Sequence, residues 1–228
     1  MTPTTNNDNS TNSTNINRYR NLTPGINVIL ANSKTILIWT IVLIVMSTYY
    51  SNEPAPTADT VPLNDLLHST LPRIEYKWHH YTVLGVVLFG TTTMLFTERK
   101  NMKNVLDFVV SYLGGLGIYL IVRGVIVNLT RIPRPRIREL YDPENPNGKT
   151  ALQKLTTLSG YFDSTPSGHT GTNMIMLFKL FGLKKINAGV MGVLVTVVFL
   201  VPILTRAHYS LDVILAFLIS FGVSKFKV

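Results

Sequence analysis

Val105-Leu-Asp-Phe-Val-Val-Ser-Tyr-Leu-Gly-Gly-Leu-Gly-Ile-Tyr-Leu-Ile-Val-Arg-Gly-Val-Ile-Val127 is the stretch on which the fold turns. Only Asp107 and Arg123 interrupt it with charge. About 20 predominantly apolar residues suffice to cross the roughly 30 Å of hydrocarbon in a bilayer. Comparable runs lie at about 33–50, 81–97, 168–183, 186–205 and 210–224. None alternates strictly as a barrel strand does. A segment in lipid must satisfy its own backbone, so each run reads as a helix. The fold expected is all-α: an integral membrane protein built as a six-transmembrane-helix bundle.

Composition agrees. Of 228 residues, 46% are hydrophobic and 14% charged, against about 25% charged in ordinary soluble domains. Mean hydropathy is +0.25. Six spans leave no room for a large soluble domain, so 27–228 reads as one membrane domain. Residues 1–26 read as a disordered cytoplasmic tail, because 2–17 are mostly Asn and Thr and have almost nothing to bury. The chain has no cysteine, which excludes disulfides, a thiolate metal site and a cysteine nucleophile.

Net charge is +9, from 21 Lys and Arg against 12 Asp and Glu. A cytoplasmic N-terminus places Arg18, Arg20 and Lys34, then Arg99, Lys100 and Lys103, then Lys184 and Lys185, then Lys225 and Lys227 on the cytoplasmic side. That is the expected bias of short loops. The opposite side breaks the bias with Arg131, Arg134, Arg136 and Arg138, preceded by Arg123 and joined by Arg206. Arginine offers a permanent, bidentate fork for phosphate oxygens. Nucleic acid does not account for the surplus, since half the basic residues serve topology and the others sit at a membrane surface.

Three outer stretches carry the chemistry. Arg123 and Thr130 are seven apart and share a helix face; an arginine inside an apolar helix calls for an anion. Pro166-Ser-Gly-His169 opens the fourth apolar run, where Ser167 and Gly168 expose backbone N–H groups at a helix N-terminus suited to phosphate. His208 and Asp212, at i and i+4, open the sixth. A carboxylate there can accept the imidazole Nδ1–H and leave Nε2 free to attack. Two histidines, one carboxylate and several arginines fit phosphoryl transfer through a phosphohistidine. No metal and no cofactor is expected, because no carboxylate cluster is present to hold a cation.

His68, His79 and His80 read as interfacial, as do Trp78 and Tyr81. Asp107 and Lys179 interrupt their helices toward the cytoplasmic end, where snorkelling or a mutual contact would settle them. Gly114, Gly115 and Gly117 would let another helix approach.

The Pro166-Ser-Gly-His169-Thr stretch and the His208-x-x-x-Asp212 pair preceded by Arg206 resemble the type 2 phosphatidic acid phosphatase superfamily of six-helix enzymes. The likeness is closer to its sphingomyelin-synthase-related branch. That branch reads Arg-x-x-Thr-x-x-x-Thr-x-x-Pro, matched here at Arg123, Thr130 and Pro133 and missed at Ile126. It carries an Asp six residues before the histidine, matched by Asp163, though Tyr161-Phe162 replaces its Cys-Gly. It ends on His-Tyr-Thr-x-Asp-Val, met at His208, Tyr209, Asp212 and Val213, with Ser210 for Thr. Pro-Leu-x-Asp at 62–65 is also similar. The phosphatase-type Lys, seven positions before Arg134-Pro135, would fall on Val127 and is missing.

The resemblance implies His208 as nucleophile, Asp212 as its orienting partner, and His169 as the acid that frees diacylglycerol and then the base on an incoming ceramide. It implies that Arg123 and Arg206 hold the phosphate with Ser167 and the backbone around Gly168; Arg131 and Arg134 are further candidates outside the family motif. The implied activity is a phosphosphingolipid synthase, moving a phospho-headgroup from a phospholipid donor to ceramide or diacylglycerol. The alternative is a lipid phosphate phosphatase, in which water attacks; a catalytically silent lipid-binding scaffold is a third reading. The expected location is an endomembrane (Golgi or ER) or the plasma membrane, with both termini cytoplasmic and the site exoplasmic.

Overall fold

The structure, a computed structural model, describes residues 60–136 and 164–225, together with isolated positions between 33 and 45. The tail at 1–26, Asp163 and Arg138 lie outside the described residues. The described positions in 33–45 are helical, and Val42 among them packs on the core. The helices that follow are α1 (Leu66–Thr70), α2 (Lys77–Thr97), α3 (Met102–Thr130), α4 (Gly168–Gly182), α5 (Ala188–Leu204) and α6 (Ser210–Ser224). The described residues contain no strand.

Two of these helices, α2 with 21 residues and α3 with 29, are long and apolar enough to cross a membrane. At about 1.5 Å per residue, α2 alone reaches roughly 30 Å. The helices α5 and α6 are apolar but shorter. The outward faces of these four helices carry Leu88, Phe96, Leu129, Val193 and Leu218, each more than half exposed. A fold that turns bulky apolar side chains outward in this way suits lipid rather than water.

The least apolar partner sits innermost. α4 packs against α2, α3, α5 and α6, and Met174, Ile175, Met176, Leu177 and Leu180 from it are buried. Close approach depends on glycine at two crossings. A Cβ on Gly171 would stand 2.0 Å from Tyr119 Cζ, so only glycine admits the Tyr119 ring there. One on Gly115 would meet Ile175 Cγ2 at 3.2 Å, the helix-approach role expected of that glycine run.

The two ends of the bundle differ. At one, Lys185 pairs with Glu98, Lys103 pairs with Asp107 at 2.9 Å, and Lys179 Nζ donates to Ser111 Oγ at 2.7 Å. All of these except Lys103 line a cavity of about 660 Å³. The expected contact between Asp107 and Lys179 is replaced by these two, because Lys103 lies one turn from Asp107 on its own helix face. The other end gathers the starts of α2, α4 and α6 and the end of α3.

Candidate active site

The loop 205–209 joins α5 to α6 and turns on Arg206, whose φ is 56°. The carbonyl of Pro202, in the last turn of α5, accepts from Ala207 N at 3.0 Å and His208 N at 3.2 Å. This folds the loop back and drives His208 inward until it is 1% exposed. Its Nδ1 lies 2.9 Å from the carbonyl of Ser164 and 3.6 Å from Asp212 Oδ2. The nearer acceptor is thus a backbone carbonyl, with the carboxylate behind it. With Nδ1–H donating there, Nε2 carries the lone pair, and that atom is buried without a hydrogen-bond partner.

Asp212, 1% exposed, is occupied elsewhere. It accepts from Ser164 Oγ and from Thr165 Oγ1, and from Tyr209 N at 2.9 Å. Its own carbonyl takes Ser167 N at 3.1 Å. Asp212 therefore ties the start of α6 to the segment before α4, and this tie places the Ser164 carbonyl over the imidazole.

Ser167 caps α4, its Oγ accepting from Thr170 N at 3.2 Å, while its carbonyl takes the Tyr119 hydroxyl at 2.7 Å. Arg123 is 3% exposed, and its Nε donates to the Pro166 carbonyl at 3.0 Å. A Cβ on Gly168 would come within 3.3 Å of that Nε. Glycine lets the guanidinium lie against the positive end of α4, and two positive features side by side favour an anion. His169 follows one residue later, its ring centroid 6.4 Å from that of His208.

A strap from the first loop fixes the outside of this loop. Asp65 Oδ2 accepts from Ser210 N at 2.6 Å and from its hydroxyl at 2.9 Å, and Asp65 Oδ1 caps α1. Leu63 N donates to the Tyr209 hydroxyl at 2.9 Å, and His68 Nε2 lies 3.0 Å from the His208 carbonyl. Burial opposes the Asp65 charge, but the Ser210 N–H and hydroxyl outweigh it and hold the carboxyl below its ordinary range. Burial pushes the His68 imidazole below its usual 6.5, and it pushes the Tyr209 phenol up to about 12, so that hydroxyl stays neutral.

The structure brings His169, His208, Asp212, Ser167, Gly168 and Arg123 together. Arg134, 5% exposed, lies near enough to act electrostatically on His79 and His169. Arg206 is placed differently: its guanidinium donates to the carbonyls of His68, Leu71 and Ile203 and so clamps the strap. Arg131 is exposed and terminates α3 with φ 44°. Thr130 is exposed too, and its hydroxyl turns back on Ile126 O.

The residue that sequence reasoning missed is His79, read as interfacial. It is 1% exposed, with its ring centroid 4.2 Å from His169 and 5.6 Å from His208. Only its position on the same outer side could have signalled this, since 90 residues separate it from His169. The three histidines bring ring nitrogens within 4.8 Å of one another and are, among the described residues, the group that could hold a metal ion. Imidazoles suit zinc or copper.

No curated protein and no solved structure matches the chain. The family model described as the PAP2 superfamily matches residues 108–227, a span that holds Arg123, Ser167, His169, His208 and Asp212. That match covers more than half of the 228 residues, and the chain belongs to the PAP2 superfamily, whose members are phosphatases or phosphotransferases.

Proposed function

We propose that this protein is a six-span membrane enzyme that transfers a phospho-headgroup from a glycerophospholipid to ceramide or a related lipid alcohol. The observation that carries the phosphoryl chemistry is His208: its Nδ1 is held by the Ser164 carbonyl while its buried Nε2 has no partner. In the tautomer whose Nδ1–H donates to that carbonyl, Nε2 carries the lone pair, the form in which imidazole is a nucleophile. In the first step Nε2 attacks phosphorus, an N–P bond forms, and the bond to the diacylglycerol oxygen breaks as His169 protonates it. In the second, His169 takes the proton of the acceptor hydroxyl, whose oxygen attacks phosphorus and releases His208.

The strap supports the synthase side of the reading. Pro-Leu-x-Asp at 62–65 lies outside the matched span, yet Asp65 and Leu63 bond directly to Ser210 and Tyr209 beside the nucleophile. The likeness to the sphingomyelin-synthase-related branch thus falls on residues that hold the reacting loop. In this reading the histidine end of the bundle faces the exoplasmic side of an endomembrane or plasma membrane. The lysine end and both termini face the cytoplasm.

The test is a headgroup-transfer assay on purified protein in mixed micelles. It contains labelled ceramide, phosphatidylcholine, phosphatidylethanolamine, phosphatidylinositol and phosphatidic acid. A labelled phosphosphingolipid is the expected product and names the donor. Free phosphate without that product would make the enzyme a hydrolase and overturn the transfer reading.

A further inference from the structure

His79, in the first turn of α2, comes from a different element than His169 and His208 and brings its ring within 4.2 Å and 5.6 Å of theirs. Its Nε2 is buried and has no hydrogen-bond partner, and the same is true of His208 Nε2. Leaving one polar atom unsatisfied in a protein interior is costly, and leaving two so close together asks for an occupant that bonds both.

Two kinds of occupant could do so, and the spacing separates them. Zinc holds imidazole nitrogens at about 2.0–2.1 Å, so two nitrogens on one ion stand at most about 4.2 Å apart, and closer in a tetrahedron. The three ring nitrogens here spread over as much as 4.8 Å. A tetrahedral phosphoryl group is larger: the lone pair of His208 Nε2 can face its phosphorus while another ring nitrogen donates to one of its oxygens, and nitrogens that meet different atoms of one group stand farther apart. Charge agrees with this choice. Arg134 acts on both His79 and His169, and Arg123 on His169. A guanidinium field repels a bare cation and attracts phosphate.

We propose that His79 is a third catalytic histidine, whose Nε2–H donates to a non-bridging oxygen of the phosphoryl group held between His169 and His208. This rests on the phosphoryl-transfer reading above. The bond tightens as charge gathers on the equatorial oxygens, so it favours the transition state over bound substrate.

The experiment uses the full-length protein in micelles with orthovanadate as the oxyanion probe. It compares wild type with His79→Ala, His79→Gln and the exposed neighbour His80→Ala. Removing one oxyanion donor costs on the order of 10²–10³-fold in kcat, so His79→Ala should lose about that much while KM for the lipid donor changes little. Its orthovanadate inhibition constant should rise at least tenfold. His79→Gln, which can present an N–H at the same reach, should recover most of the loss in both, and His80→Ala should match wild type. Should His79→Ala not fold, the Gln variant and the vanadate constant carry the test.

Wild-type kcat and vanadate inhibition in His79→Ala would overturn the proposal, as would a loss that His79→Gln leaves unrepaired. Stoichiometric zinc binding by wild type, lost in His79→Ala while vanadate inhibition persists, would overturn it in favour of a metal centre. A wild-type enzyme that neither turns over a phospholipid nor responds to vanadate would instead sink the underlying phosphoryl-transfer reading.

Discussion

At the lysine end of the bundle, Glu98 is paired with Lys185 and Asp107 with Lys103. At the histidine end, Asp65 and Asp212 are met by backbone N–H and hydroxyl groups of Leu67, Ser164, Thr165, Tyr209 and Ser210. The first pair of carboxylates neutralises charge near the bundle's rim. The second pair ties chain segments together, each bridging elements far apart in sequence. A carboxylate saturated by fixed donors specifies geometry, whereas one facing a flexible lysine mostly balances charge. Substitutions at the two ends should therefore differ in kind as well as in size.

The largest effect should follow Asp212→Asn. It strips an anionic acceptor from two hydroxyls and the Tyr209 N–H, and the Ser164 carbonyl over His208 drifts with them. Turnover should fall by about 10²–10³-fold, short of the roughly 10⁴-fold seen where an Asp alone sets the imidazole tautomer. Steady-state kinetics on the folded variant measures this, and a full 10⁴-fold loss would move the orienting role from Ser164 back to the carboxylate.

Asp65→Ala should come next. It uncaps α1 and releases Ser210 at the start of α6, which should cost about 1–2 kcal/mol of stability. The loop that carries His208 stays tied to Asp212, so kcat should drop only about tenfold. A variant as stable and active as wild type would show that the strap does not hold the loop.

The strap should also respond to acid. Burial holds the His68 pKa below 6.5, so the folded state binds fewer protons than the unfolded chain just below that value. The stability His68 contributes is complete above 6.5 and is lost as pH falls through the lower folded pKa. Between pH 7.5 and 5.5 the melting temperature of wild type should fall by roughly a few degrees more than that of His68→Gln. Parallel curves would contradict the linkage.

The smallest effect belongs to the other end. The Lys185–Glu98 pair is partly exposed, so Lys185→Ala should cost about 1 kcal/mol or less and leave turnover unchanged. A loss of activity there would couple the two ends and break the comparison.

Much of this contrast was legible in the sequence because it is local. The apolar runs at 81–97, 105–127, 186–205 and 210–224 fall on α2, α3, α5 and α6, since a sustained apolar run leaves an unbroken compositional trace. His208 and Asp212 come within 3.6 Å because only four positions separate them, although His208 sits in the loop before α6 and not on a helix face as the spacing suggests. The nearer acceptor for His208 was not legible: Ser164 lies 44 residues away, and a backbone carbonyl has no sequence signature. The same holds for Arg206, which reads as a phosphate ligand but turns to the α1 carbonyls. His79 illustrates the limit best, because its place beside His169 is a product of helix packing alone.

In the proposed mechanism, His208 Nε2 is the atom that carries phosphorus. The most direct measurement is to incubate the purified enzyme with a phospholipid labelled in its headgroup phosphate, without acceptor, quench in alkali, and map the label by mass spectrometry. The label should sit on the peptide that holds His208, be discharged by added ceramide, and be absent from a folded His208→Ala variant that no longer turns over. Label on another residue, or undiminished turnover by His208→Ala, would contradict the mechanism.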